Sequence, residues 1–358
     1  MFGGYNVLET MKAVAAVGCG RTAIVKIPRP VPGDYECLTK ILYCGICNGT
    51  DLKLIHDQVT DLKIPYPTVL GHESVGRIVA VGKKVRYWKV GDRVVSPIGS
   101  IAPESGFRSH YGQMAEFGIT HDIRAMMEDH INLGNQPPIP DYRGKLIPPE
   151  MSFRDAVMLL TFKENYSALN NFAFRPGMDV LICGDGPVAM GIACIAKALG
   201  AASVSCVGHH NHRLEHIHAC ANVNGVINSR ECRVLETLAE QRLDMIVDAV
   251  GDLDTDRALA PLLRPGGVLG LYGVLSGAHG NMNLFEWPNN IRLHILNWPY
   301  GEHRAHEAVT ALVARGVLVP SQYYTHILPL EDAQKGFELV ASREAFKVIL
   351  QMPGTDEE

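Results

Sequence analysis

The sequence predicts a mixed α/β plus all-β protein, in which a small, partly open β-barrel is joined to a doubly wound parallel sheet. Three observations lead there. The chain has 358 residues, more than one hydrophobic core usually serves. Its first part is written in short apolar or alternating runs broken by glycine and proline. Its later part alternates buried-type strands with helical runs, the pattern of a parallel sheet. Hydrophobic residues make up 47% of the chain, enough for a core in each domain.

Taken in order, residues 11–43 read as strands (MKAVAAV, TAIVKI, CLTKILYC), punctuated by Pro28, Pro30, Pro32 and Gly33. ESVGRIVAVG and VGDRVVSPIG continue the pattern through 73–98, and tight glycine turns of this kind suit a small barrel. Residues 99–150 are less regular. SHYGQMAEFGIT reads as one more strand, RAMMEDHINL as a short helix and NQPPIPDYRGKLIPPE as a proline-rich loop. SFRDAVMLLTFKENYSALNNF, 152–172, is helical and opens on a Ser152–Asp155 capping pair. From MDVLICGDG onward strand and helix alternate. PVAMGIACIAKALG is a helix with Pro187 in its first position. ASVSCVG, GVINS, LDMIVDAVG, GGVLGLYGV and RLHILNW are strands of the buried type, and HRLEHIHACA is a helix. Two further helices, HRAHEAVTALVARG and LEDAQKGFELVAS, precede a closing strand, FKVILQM.

Composition narrows the function. The net charge is −5 with acids and bases interspersed, which leaves no footprint for nucleic acid. No apolar run reaches the length of a membrane span, and MFGGYNVLETMK lacks the basic-then-apolar order of a secretory signal. Nine cysteines without a disulfide-like framework fit reduced thiols in a cytoplasm. The expected partners are a small-molecule substrate and further copies of the chain, as a homodimer or homotetramer.

Two stretches carry chemistry. Cys47, His72 and Glu73 combine a soft, an intermediate and a hard donor for a cation such as zinc. Three protein ligands leave a fourth position open, as catalytic zinc sites do. Alone, these residues are equally compatible with a buried thiol and an ordinary strand end. The second stretch, Gly184-Asp185-Gly186-Pro187-Val188-Ala189, fits G-x-G-x-x-[G/A] between a strand and a helix. Gly184 permits the tight turn, Gly186 admits a pyrophosphate, and Ala189 allows close helix–strand packing. Pro187 and Val188 open the helix whose N-terminus would face the phosphates.

The ordered set GIC with a following TD at 45–51, GHE at 71–73, VGDRV at 90–94, RPG at 175–177, the glycine turn, DAVG at 248–251 and KVIL at 347–350 resembles the zinc-dependent medium-chain dehydrogenase/reductase family of alcohol, sorbitol and threonine dehydrogenases. The resemblance covers nearly the whole chain. It implies a GroES-like catalytic domain over 1–157, a Rossmann dinucleotide-binding domain over 158–299, and a segment over 300–358 returning to the catalytic domain. It also implies one catalytic zinc and hydride transfer between a nicotinamide cofactor and a secondary alcohol, polyol or sugar-like substrate, or its ketone. The alternative on the same fold is a zinc-free reductase or a non-catalytic nucleotide-binding protein.

Within the resemblance, Thr50 matches the proton-relay hydroxyl, although the spacing from Cys47 is one residue longer than in the family. Asp51, Lys53 and His56 complete the catalytic candidates. Lys53 stands where many relatives have a histidine, and solvated surface is the other reading of Lys53 and His56. A further metal position on the helix before the glycine turn falls on Leu160 or Thr161, so Glu164, one helical turn on, is the candidate ligand. A solvent-facing Glu164 is the alternative. Gly273, Val274 and Lys347 join the cofactor candidates. The family's structural zinc cluster has no counterpart, because 95–115 contains no cysteine. Asp122 to Arg143 reads as an insertion covering the cleft or a subunit contact.

In NAD-type units an acid about 20 residues past the glycine turn takes the ribose hydroxyls. Here that position is Gly208, followed by His209-His210-Asn211-His212-Arg213. With no acid there to repel a 2′-phosphate, and with Arg213, His209 and His210 as donors, the sequence favours NADP(H) over NAD(H).

Overall fold

The computed structural model describes residues 9–56, 58, 65–99, 101, 105–109, 111–134, 139, 145–238, 242–275, 283–296 and 301–355. The chain forms two compact units, one of Met1–Asp57, Leu62–Met158 and Tyr324–Glu358, the other of Gln58–Asp61 and Leu159–Tyr323. The first boundary falls beside the 157/158 expected from sequence. The return to the first unit comes at Tyr324 rather than at 300. The cause is Tyr323, which is fully buried with its ring edge-on to Phe162 at 4.7 Å and its hydroxyl donating to Cys194 Sγ at 3.4 Å. Those contacts hold the preceding segment in the second unit.

Two sheets build the first unit. In one, Arg21–Pro28, Thr10–Gly18, Thr68–Val69 and Arg108–Ser109 lie in that order. In the other the order is His326–Pro329, Val348–Gln351, Glu36–Gly45, Glu73–Val81, Arg93–Val95, with Phe117–His121 also paired to Glu36–Gly45. Val14 of one sheet, Ile41, Cys44 and Val348 of the other, and Leu70 and Met114 of the connecting segments share one core with Phe337 of the helix Ala333–Ala341. Removing such side chains from water is the main driving force for closing the unit. SHYGQMAEFGIT is two short strands, Arg108–Ser109 and Phe117–His121, rather than one. Gly112 between them has φ +62, a left-handed conformation that ends an extended run.

The helix read in RAMMEDHINL is Ile123–Glu128, with Asp122 as its N-cap accepting from Ala125 N–H at 2.9 Å. The second oxygen of Asp122 accepts the backbone N–H groups of Arg86 at 2.7 Å and Tyr87 at 2.9 Å. Residues 122–128 are therefore packed domain structure. Residues 135–138 and 140–143 of the expected insertion lie outside the described residues.

In the second unit the six strands lie in the order Gly225–Asn228, Ser203–Gly208, Asp179–Cys183, Leu243–Asp248, Leu263–Leu271, Arg292–Ile295, every pair parallel. Counted along the chain this is 3-2-1-4-5-6, the Rossmann order, whose direction reverses beside the first strand and leaves a crevice at its carboxyl end. The central strands are buried as their composition demands. Arg292–Ile295 departs from the expected burial, with Leu293 36% and Ile295 50% exposed, because among the described residues it pairs on one side only.

Candidate metal centre and dinucleotide turn

Strand pairing in the first unit assembles the metal donors. Glu36–Gly45 runs antiparallel to Glu73–Val81 with Gly45 opposite Glu73 and Cys44 opposite Ser74. The residues just past one strand end thus meet those that begin the other. Sγ of Cys47, a ring nitrogen of His72 and a carboxylate oxygen of Glu73 all lie within 4.8 Å of one another. Gly71, at φ +93, makes the entry possible, since a Cβ there would sit 2.5 Å from Met114 Cγ.

The surroundings of this trio are anionic and buried. Asp51, with no exposure, accepts the Cys47 backbone N–H at 2.9 Å. Its other oxygen lies 3.5 Å from Nδ1 of His72, the carboxylate–histidine arrangement that orients metal-binding imidazoles. Burial alone would pull the His72 imidazole down, but Asp51 and the Cys47 sulfur outweigh it and hold the ring well above its ordinary value. A site that favours a positive charge on its own ligand fits a divalent cation in its place. On donor type, mutual distance and field, the three residues suit zinc.

Lys347 lies in this first unit, before the strand Val348–Gln351, whose Ile349 stands opposite Gly45. Its ammonium is 2.5 Å from Oε2 of Glu73, with side-chain exposures of 6% and 3%. A Cβ on Gly45 would fall 2.5 Å from Glu73 Oε2 and 3.0 Å from Lys347 Cε, so glycine there makes room for the pair. The sequence reading of Lys347 as a cofactor residue missed this partner.

The longer Cys47–Thr50 spacing is absorbed by a turn in which Asp51 N–H donates to Cys47 O at 3.1 Å. Thr50, the N-cap of Asp51–Ile55, keeps its own N–H 3.5 Å from Cys47 Sγ. Lys53 is on this short helix and half-buried. His56 is exposed at the opposite end, and a Cβ added to Gly20 would meet its ring at 3.2 Å. Asp51, one of the catalytic candidates, supports the ligands from behind.

In the second unit Gly184 takes φ +137, where a Cβ would press on Ala249 at 3.3 Å and Ala189 at 3.5 Å. Gly186 is the N-cap of Pro187–Ala198, and a Cβ there would meet nothing within 4 Å. The turn is therefore tight on one side and open on the other, and Val188 and Ala189 sit in the first helical turn, where backbone N–H groups lack helical partners. That fits a pyrophosphate. Gly273 and Val274 follow the carboxyl end of Leu263–Leu271. A Cβ on Gly273 would be 2.1 Å from Gly251 N, and Asp248 fixes the neighbouring loop by accepting Val250 N–H at 2.7 Å and Gly251 N–H at 2.8 Å. Glu164, on Met158–Asn171, accepts the Tyr272 hydroxyl at 3.2 Å. The donor cluster found among the described residues does not include it.

One premise of the NADP(H) expectation fails here. A carboxylate does stand at the end of Ser203–Gly208, supplied by Asp185 of the glycine turn. Its Oδ2 accepts His209 N–H at 2.8 Å and His210 N–H at 3.1 Å, and lies 2.8 Å from His210 Nδ1. Arg213, 5% exposed, approaches Oδ1 at 3.9 Å. The signal was an acid at the first x of the turn beside a glycine where an acid is usual.

Residues 33–131 match the alcohol dehydrogenase GroES-like domain, a match that takes in Ile123–Glu128. The chain is 27% identical over 339 residues to L-threonine 3-dehydrogenase of Shewanella baltica, covering 91% of this chain and 95% of that one. Alcohol dehydrogenase TADH from Thermus sp. ATN1 superposes with a TM-score of 0.76 at 27% identity, covering 96% of this chain and all of that one. An alcohol dehydrogenase zinc-binding domain protein from Burkholderia ambifaria shares the fold at a TM-score of 0.79 and 19% identity, over 96% and 99% of the two chains. The GroES-like match, the threonine dehydrogenase relative and the alcohol dehydrogenase neighbour together support the medium-chain dehydrogenase/reductase family for this chain.

Proposed function

We propose that this protein is a zinc-dependent dehydrogenase that moves a hydride between a nicotinamide dinucleotide and a secondary alcohol, polyol or sugar-like substrate, or the matching ketone. The observation that carries the reading is the donor trio Cys47, His72 and Glu73 within 4.8 Å, backed by buried Asp51. When bound, zinc supplies Lewis-acid polarisation of the substrate oxygen and the dinucleotide supplies or accepts the hydride.

The chain's own residues do the rest. Asp51 orients His72 through Nδ1 and fixes the Cys47 backbone. Lys347 balances the charge of Glu73, so that the buried carboxylate is not left alone. Thr50 Oγ1 is the proposed first acceptor of the substrate proton, with Lys53 or His56 as the outer step. Gly184, Gly186, Pro187 and Val188 shape the phosphate cradle. Which of NADP(H) and NAD(H) the cradle takes depends on the charge at the strand end, where Asp185 opposes the sequence's expectation of NADP(H).

The test is a panel of secondary alcohols, polyols, sugars, sugar acids and L-threonine with both oxidised dinucleotides and zinc-loaded protein, read by absorbance of the reduced nicotinamide. Turnover with at least one alcohol is the expected result. Dinucleotide binding without turnover anywhere on the panel would favour the non-catalytic alternative.

A further inference from the structure

We infer that Asp185 selects the dinucleotide and that it selects NAD(H). The inference rests on the dinucleotide reading of the glycine turn. In sequence Gly208 looks like an empty place. In the structure that place is filled: a Cβ on Gly208 would lie 2.6 Å from Asp185 Cβ and 2.8 Å from Asp185 Oδ2. The strand-end carboxylate has changed its point of attachment. It is carried by the turn of the neighbouring strand Asp179–Cys183, to which Ser203–Gly208 is paired through Val207 and Cys183.

The group is held for that task. Its three hydrogen-bond contacts fall on Oδ2, from the backbone N–H groups of His209 and His210 and from His210 Nδ1. Oδ1 faces Arg213 at ion-pair range, 3.9 Å. The carboxylate keeps 13% exposure. Burial would raise it, yet the His209 backbone, His210 and Arg213 together keep it below its ordinary value. An ionised acceptor at this point accepts a bond from a free ribose hydroxyl and repels a 2′-phosphate. Arg213, the sequence's candidate phosphate ligand, has a side chain only 6% exposed and turned to Asp185.

Gly208→Asp is then no route to a changed preference, because its Cβ collides with Asp185. It should impair binding of both dinucleotides.

The experiment is fluorescence titration of the full-length protein with NADH and NADPH, without substrate, for wild type, Asp185→Asn and Asp185→Ser. Asn keeps the shape and an acceptor for the backbone N–H groups, and Ser removes most of the side chain. Wild type is expected to bind NADH more tightly by roughly tenfold or more, the worth of one charge-assisted hydrogen bond. Both variants should shrink that ratio by roughly tenfold. In wild type the ratio should also shrink as salt rises, because repulsion is screened. A wild type that prefers NADPH or does not discriminate overturns the inference, as does an unchanged ratio in a variant that still binds NADH. In those cases the dinucleotide reading stands. If wild type binds neither dinucleotide, the reading and the inference fall together. Should the variants not fold, the wild-type ratio and its salt dependence decide.

Discussion

Single residues carry more in this molecule than their neighbours in sequence suggest. Lys347 and Glu73 form an ion pair with almost no solvent access. Breaking such a pair from one side leaves a desolvated charge, at a cost of about 3–5 kcal/mol. Lys347→Met should lower the stability of metal-free protein by about that amount, read from urea unfolding. A shift below about 1 kcal/mol, the worth of an exposed pair, would contradict the pairing. The donor trio was legible in sequence, because ligand chemistry is written in residue type and GHE falls at a strand start. Lys347's partner and the place of Asp185 were not legible, since strand pairing alone brings residues far apart in sequence into contact.

At the scale of elements, local patterns were readable and their interruptions were not. The capping pair Ser152–Asp155 appears as read, with Ser152 Oγ accepting Asp155 N–H at 3.0 Å. The strand–turn–helix around Gly184–Ala189 is equally direct, because glycine, proline and small residues each meet a local steric demand. The start of the stretch read as a covering insertion, 122–128, is packed into the unit. Its proline-rich continuation suggested a loop, whereas Asp122 itself is 1% exposed and accepts three backbone N–H groups from two segments. Asp122→Ala removes a cap and leaves buried donors unsatisfied. A loss of about 2–3 kcal/mol is expected, measured as a lower unfolding midpoint. An unchanged midpoint would show that 122–128 is not integral to the unit.

For the whole molecule, the class of each unit followed from hydrophobic periodicity and length. The 3-2-1-4-5-6 strand order and the return at Tyr324 did not, because both depend on contacts between distant segments. The same non-local packing buries Asp256 of Leu253–Leu259 completely. Burial, then the neighbouring Asp248, pushes its carboxyl up to about 9. The folded state therefore keeps a proton that an unfolded aspartate, near about 4, has lost. Stability should fall as pH rises between those limits and level off above the upper one. Asp256→Asn should flatten that fall, raising Tm by several degrees at about pH 8.5 and by less at about pH 6. Parallel pH profiles of wild type and variant would contradict it. Cys47, His72 and Glu73 are proposed to hold a catalytic zinc in a dehydrogenase. The most direct measurement is dehydrogenase activity of chelator-stripped protein as zinc is added back, alongside metal content. Activity should be absent in stripped protein and should rise to a plateau at about one zinc per chain, the count a single open three-ligand site takes. Full activity in protein that contains no metal would rule out a catalytic zinc there.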